Sequence, residues 1–327
     1  MEEPASPVVW VLTDGKAGDE QPLIGLAEAM GATPVLRRLA PRRPFAWLMP
    51  WGPIDPKDAP LKPGSPLAPP FPDICLATGR RAVPYLRRLK ALSPQSFCVL
   101  FKDPRTRRHG ADLLVVQQHD APRGRDVLVV TTAPNRLSRK RLAEARAAFA
   151  DVLTPLPKPR IAVLVGGDSR HHRFTEKDIA RFLRALEARL EDGGALMVTT
   201  SRRTPASLAK ALAGLGKRPG VHLWDGTGEN PLLAYLSFAD EIVVTADSTN
   251  MAGEAAALGV PVQVFHPSGG HAKIERFLAA LSQQAAIGRF PEAPARESRP
   301  PVNSTPALAE EIATRWRAFK ARPDRPS

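Results

Sequence analysis

Asp247, Ser248, Thr249 and Asn250 stand between an apolar run and a stretch of small residues, in "EIVVTADSTNMAGEAAALGVPVQVF" (residues 241–265). Short polar side chains at such a junction suit an anion, because a helix start leaves backbone N–H groups unpaired and turns the positive end of its dipole outward. Glu254 follows one turn or so later, where a carboxylate can accept hydrogen bonds from both hydroxyls of a ribose. "TTSRRT" (199–204) sets Ser201, Arg202, Arg203 and Thr204 at a second strand end, and a guanidinium fork is well shaped for a diphosphate. "VGGDS" adds Gly167 and Ser169 at a third. Each has an ordinary reading as a cap, a solvated carboxylate or a surface charge. Together, on successive strand ends, they favour a nucleotide-diphosphate site.

The first half holds a second set. "TDGKAGDE" (13–20) follows an apolar run, and Gly15 and Gly18 permit a tight loop that brings backbone close to a ligand. Asp14, Asp19 and Glu20 are candidate general bases, and Arg80, Arg81 and Arg105 stand at further strand ends where they could meet an anionic group. His119-Asp120 is another acid/base pair, although neighbours on an extended segment point to opposite sides. His171 and His172 are adjacent and lack metal-ligand spacing, so no metal is expected. Neither GxxxxGK(S/T) nor a GxGxxG after a strand occurs, which removes support from kinase and dehydrogenase readings.

These residues need a frame, and the pattern supplies one. Strand-like segments of four to seven residues alternate with helical segments through both halves, which predicts parallel sheets covered on both faces. From residue 41 to 72 prolines recur every few positions, and neither a helix interior nor a central strand tolerates that. This segment reads as an irregular insertion with a short helix near Phe45–Leu48. "TPLPKPR" (154–160) is the expected boundary, giving an N-terminal domain over 1–153, a linker over 154–160 and a C-terminal domain over 161–290. Residues 291–327 form a Pro-rich segment and a final helix.

At 327 residues and 43% apolar composition, the chain can build two cored domains. No run of about 18 apolar residues marks a membrane span, and "MEEPASPVVW" lacks the regions of a signal peptide. Two cysteines, Cys75 and Cys98, lie in apolar runs and read as buried thiols of a reducing cytosol. The net charge of +13 divides as 23 Lys/Arg against 15 Asp/Glu (+8) up to Leu153 and 23 against 18 (+5) beyond it. Such a field favours anionic partners. Nucleic acid is not expected among them, since aromatics are 6% and are not interleaved with the arginines.

The chain resembles the mitochondrial-fission ELM1-like family, which is grouped with GT-B glycosyltransferases. "TDGKAGDEQPLIGLAEAMG", "LATGRRAVPYLRRLK", "KDPR", "QHD", "TTSRRTP", the 241–265 stretch and "GGHAKIERF" carry the likeness. It implies an α/β fold of GT-B type: two Rossmann-like domains with parallel sheets facing across a cleft, donor on the second and acceptor on the first, with the final helix of the 291–327 segment packing back on the first domain. It places Ser248, Thr249 and Asn250 at the donor phosphates, Glu254 at the ribose, Arg202 and Arg203 near the diphosphate or sugar, and Gly15 and Gly18 in the first-domain loop. Family members often carry a histidine at the position of Asp19, so here the base is Asp19, Asp14 or Glu20.

The expected activity is metal-independent transfer of a sugar from a nucleotide-activated donor (a nucleotide-diphosphate sugar or a CMP-sugar) to an anionic or lipid-linked cell-envelope acceptor. No cofactor beyond that donor is expected. The expected location is the cytoplasm, including peripheral contact with the inner face of the membrane. The alternative is a non-catalytic GT-B-like interaction protein that binds a protein partner or an anionic membrane.

Overall fold

The structure, a computed structural model, describes residues 6–118, 120, 126–292 and 299–322. It divides into two compact units, residues 1–136 with 304–327, and residues 137–303.

In the first unit, β1 (Val9–Thr13) leads through a short loop into α1 (Ala17–Ala29) and β2 (Val35–Arg38). The proline-rich insertion follows, with one short helix, α2 (Arg43–Leu48), and a single 3-10 turn at Pro56–Asp58. Then come β3 (Ile74–Thr78), α3 (Ala82–Leu92), β4 (Phe97–Phe101), β5 (Leu113–Gln117) and β6 (Val127–Val130). All six strands pair in parallel, in the order β2-β1-β3-β4-β5-β6.

Side chains alternate across a strand, and both faces of this sheet are covered, so the central strands are apolar throughout. Val9 and Val11 face one core with Leu23 and Leu26 of α1, while Trp10 and Leu12 face another with Tyr85, Leu86 and Leu89 of α3. The segments that read as strands in the sequence do so for this reason.

The second unit opens with α4 (Arg139–Ala148) and α5 (Ala150–Leu153), then β7 (Arg160–Val165) and the two-residue β8 (His172–Arg173). It continues through α6 (Glu176–Glu191), β9 (Ala195–Thr200), α7 (Ala206–Leu215), β10 (Val221–Leu223), α8 (Leu232–Phe238) and β11 (Glu241–Thr245). Next are α9 (Thr249–Ala256), β12 (Val262–Phe265), β13 (Ser268–Gly269), α10 (Ala272–Ser282) and β14 (Ile287–Arg289). The last helix, α11 (Thr305–Lys320), belongs to the first unit, where Leu308, Ala309 and Ile312 join the core that α1 covers.

The second sheet is also parallel, in the order β10-β9-β7-β11-β12-β14, and β8 pairs antiparallel with β13 beside it. β8, β13 and β14 have no counterpart in the sequence reading.

The break between units does not fall at 154–160. It falls at 136/137, because Leu142 and Ala145 of α4, and Phe149 just beyond it, pack against the core that holds Phe238 of α8. The proline-rich stretch therefore runs inside the second unit and feeds β7. Val302, from the second proline-rich stretch, also stays with this unit, its N–H donating to Ala256 O at 3.0 Å.

Candidate functional site

In each sheet the chain first adds strands to one side of its opening strand and then to the other. The reversal lies between β7 and β11 in the second unit and between β1 and β3 in the first. At such a switch point two neighbouring loops leave the carboxyl ends in opposite directions and open a crevice.

In the second unit, Gly166 and Gly167 follow β7, and Asp247 to Asn250 follow β11. Asp247 is buried and faces inward. Its carboxylate accepts from Thr245 Oγ1 at 2.6 Å, from Gly167 N at 3.1 Å and from Arg203 Nη2 at 2.8 Å. Gly166 N donates to Thr245 Oγ1 at 2.8 Å, and Thr204 Oγ1 donates to Gly166 O at 2.5 Å. Asp168 N closes on Arg203 O at 3.1 Å. Three strand-end loops are thus knotted by one carboxylate.

The two glycines are required by space. A Cβ on Gly166 would stand 2.2 Å from Asp247 Oδ1, and one on Gly167 would stand 1.9 Å from the Arg203 carbonyl oxygen.

In this network several residues expected to contact a donor also hold the loops together. The Asp247 carboxylate joins the loops after β7, β9 and β11. Thr204 spends its hydroxyl on Gly166 and accepts from Ser201 N, while Ser201 Oγ accepts from Arg203 N at 3.2 Å, so both shape their own turn. Ser169 Oγ accepts from His171 N and His172 N and turns the chain into β8. Arg202 is exposed and makes no ion pair among the described residues.

Ser248 caps α9, its Oγ accepting from Met251 N at 3.4 Å, and Thr249 and Asn250 are partly buried in the helix's first turn. Ala252, Gly253, Ala255 and Ala256 press α9 onto the sheet. Glu254 shares that helix and is partly buried, yet its carboxylate makes no hydrogen bond or ion pair among the described residues. Burial pushes it up to about 7, far above an ordinary glutamate. An unpartnered carboxylate kept at that cost, on the helix that leaves the switch point, is what a ligand with hydroxyl donors would complete.

In the first unit the three candidate bases are each held by cations. Asp14 accepts from Lys16 Nζ at 2.5 Å and lies 3.7 Å from Arg81 Nη1. Burial raises its carboxyl, but Lys16 and then Arg81 outweigh that and leave it below the usual range. Glu20 is buried and accepts two hydrogen bonds from Arg38, both 2.8 Å, and one from Thr13 Oγ1 at 3.4 Å. The Arg38 hydrogen bonds hold it low against its burial. A depressed carboxylate is a poor base, and Glu20 serves to tie α1 to β2.

Among the described residues Asp19 has a single salt-bridge partner, Lys102, whose side chain is exposed. Gly18 lies in the first turn of α1, not in the loop, while Gly15 takes the left-handed φ of +78° that the turn requires. Arg80 is exposed beside Arg81, and Arg105 adopts φ +57° in the loop after β4. His119 lies outside the described residues, and no group of three or more His, Cys, Asp or Glu among those described could hold a metal ion.

The sequence reading missed Thr13, Arg38 and Thr245, whose signal is only their place at the last position of a strand. Replacing Arg38 by Ala is expected to lower the melting temperature, since Glu20 would remain buried without its cation. Adding Glu20→Gln should restore much of the loss; thermal melts of the single and double variants check this.

Two six-stranded parallel sheets, each reversing beside its opening strand, are the α/β architecture of GT-B glycosyltransferases. The chain is similar in fold to the glycotransferase of kitacinnamycin (TM-score 0.51, 14% identity, 97% of this chain and 96% of that one). Arabidopsis thaliana UGT89C1 complexed with UDP is similar to the same degree (TM-score 0.50, 15% identity, 96% and 92%).

By sequence the chain belongs to the mitochondrial fission ELM1 family, whose profile matches residues 17–316. The mitochondrial fission protein ELM1 of Arabidopsis thaliana is 27% identical over 269 residues, covering 74% of this chain and 63% of that protein. The uncharacterized protein RP120 of Rickettsia prowazekii (strain Madrid E) is 27% identical over 208 residues, covering 60% and 57%. The matches therefore span less than two thirds of either relative.

Proposed function

We propose that this protein transfers a sugar from a nucleotide-activated donor bound by the second unit to an anionic or lipid-linked acceptor bound by the first. The observation that carries this reading is Glu254. It is the carboxylate of the second unit's switch-point loop and helix that has no protein partner among the described residues, and it stands on the helix whose first turn carries Ser248, Thr249 and Asn250. Ribose hydroxyls would donate to Glu254, and the donor phosphates would meet the amide groups at the start of α9. Arg202, exposed in the neighbouring turn, would offset charge on the departing diphosphate.

On the acceptor side Asp19 is the base this reading assigns, because its one ion-pair partner among the described residues is an exposed lysine that can swing away. Arg80 and Arg105 would hold the acceptor's anionic group. Asp19→Asn is then expected to lower turnover by about a hundredfold or more while leaving donor affinity unchanged.

Calorimetry with UDP, GDP, ADP, dTDP and CMP, each free and as its sugar, tests the proposal; UDP comes first because UGT89C1 shares the fold and was solved with it. Binding of one nucleotide that Glu254→Ala abolishes supports the reading. No binding by any of them, with Glu254→Ala indistinguishable from the parent, sinks it.

A second reading rests on the ion pairs of the first unit. With Asp14, Asp19 and Glu20 all matched by cations, the chain would keep a nucleotide pocket and serve as an interaction protein without turnover. Nucleotide binding with no sugar transferred to any acceptor would favour it.

A further inference from the structure

The insertion between β2 and β3 leaves two tryptophans uncovered. Trp47 is 71% exposed and Trp51 68%, with Leu48 also exposed between them. Leu61, later in the same insertion, is 93% exposed. Of the chain's other tryptophans, Trp10 is buried and Trp224 and Trp316 are partly so. Large apolar side chains grouped on a surface mark a contact, because each exposed indole forgoes the stabilisation of burial.

The group is held rigidly. Met49 is buried in the core beneath α3, with Phe45 and Ile54 packed against it, and Ala46 is buried as well. Trp51 N donates to Leu48 O at 3.0 Å and continues the turn beyond α2. From α3, Arg87 Nη2 donates to the carbonyls of Pro50, Trp51 and Gly52 at 3.1, 3.1 and 2.8 Å. The turn is clamped at its backbone while the indoles of Trp47 and Trp51 project into solvent.

The exposed charges of the insertion itself have one sign. The insertion's two acids are both buried: Asp55 under Arg42, whose Nη2 lies 2.6 Å from Asp55 Oδ1, and Asp58, which accepts from the Tyr85 hydroxyl. What remains at the surface is Arg43, Lys57 and Lys62, together with the matched Arg42. A protein–protein interface has a rim of mixed polar character. Indoles and leucines in an insertion whose exposed charges are all cationic instead match a lipid surface. There the indoles settle at headgroup level and the cations meet lipid phosphates.

We infer that residues 42–62 dock the first unit on an anionic lipid bilayer, with Trp47, Leu48 and Trp51 entering the interface and Arg43, Lys57 and Lys62 supplying the attraction. Contact would be peripheral, since no helix among the described residues is long and apolar enough to cross a membrane. The inference does not depend on nucleotide binding.

Sedimentation of the full chain with vesicles of phosphatidylglycerol and phosphatidylcholine tests it, against vesicles of phosphatidylcholine alone, at low and high salt. The expected result is binding to the anionic vesicles that high salt weakens, a blue shift of tryptophan emission, and quenching by lipid carrying a shallow spin label. Trp47→Ala/Trp51→Ala should lower the partition by about tenfold or more. Arg43→Glu/Lys57→Glu/Lys62→Glu should lower it by at least as much. Both variants should keep the parent's circular dichroism and nucleotide affinity.

Equal binding to neutral and anionic vesicles overturns the inference, as does a tryptophan variant that sediments like the parent. Failure of the parent to sediment, with the double variant changing only the oligomeric state, makes a second copy the occupant and overturns it too. Loss of vesicle binding with nucleotide affinity intact separates this outcome from failure of the proposed activity.

Discussion

Glu254→Gln is expected to make the unliganded protein more stable near neutral pH and, at the same time, worse at binding nucleotide. The sign follows from linkage. Burial raises the folded carboxyl to about 7 against 4.5 for an ordinary glutamate, so the folded chain keeps a proton that the unfolded chain has released. Stability therefore falls as pH rises from about 4.5 to 7 and stays low above that, by up to about 3 kcal/mol in all. Glutamine has no such titration. The two proteins should melt alike at about pH 4, and the variant should melt higher at about pH 8.

Binding should move the other way. Ribose hydroxyls donate better to a carboxylate than to an amide oxygen, so the variant should lose about 10- to 100-fold in affinity. The parent's affinity should improve as pH rises through 7 while the variant's stays flat. Melting curves and calorimetry across pH measure both. A variant no more stable above neutrality, or one that binds with the parent's affinity and pH dependence, removes Glu254 from the site.

Gly167→Ala is expected to be among the most destabilising glycine-to-alanine changes among the described residues. The new Cβ would lie 1.9 Å from the Arg203 carbonyl oxygen and 2.1 Å from its carbon, and backbone cannot yield as a side-chain tip can. Relief requires the β7 and β9 loops to part, which breaks the Asp168 N–Arg203 O bond and moves Gly167 N off Asp247. A cost of about 3 kcal/mol or more is expected, with loss of nucleotide binding.

Gly214→Ala is the matched control. That glycine sits in α7 with nothing within 4 Å of a built Cβ, so the same methyl should stabilise by about 0.5–1 kcal/mol through helix propensity. Denaturant melts of the pair decide it: two variants of equal stability would mean that the loops are not pressed together as described.

The polar strand ends were visible in the sequence because strand, loop and helix are each encoded locally, and loops at carboxyl ends are found by counting. Which of those polar residues face outward was not visible. Asp247 and Glu254 are both carboxylates within eight positions of one another, yet the first is consumed by Thr245, Gly167 and Arg203 while the second is left unpartnered. That difference arises from loops more than forty positions away in the chain, Arg203 among them. Asp14, Asp19 and Glu20 divide in the same way: Arg38 makes Glu20 structural, and it arrives on a different strand.

The sequence by itself determined two parallel α/β sheets, since strands covered on both faces are apolar at every position and helices repeat at their own period. It also determined the family, whose profile runs through almost the whole chain. Strand order, the switch points beside β1 and β7, the transfer of α4 to the second unit, and the outward display of Trp47 and Trp51 were decided only in three dimensions. Periodicity reports which side of an element is buried but not against what, and each of these features is a choice of partner between segments remote in the chain.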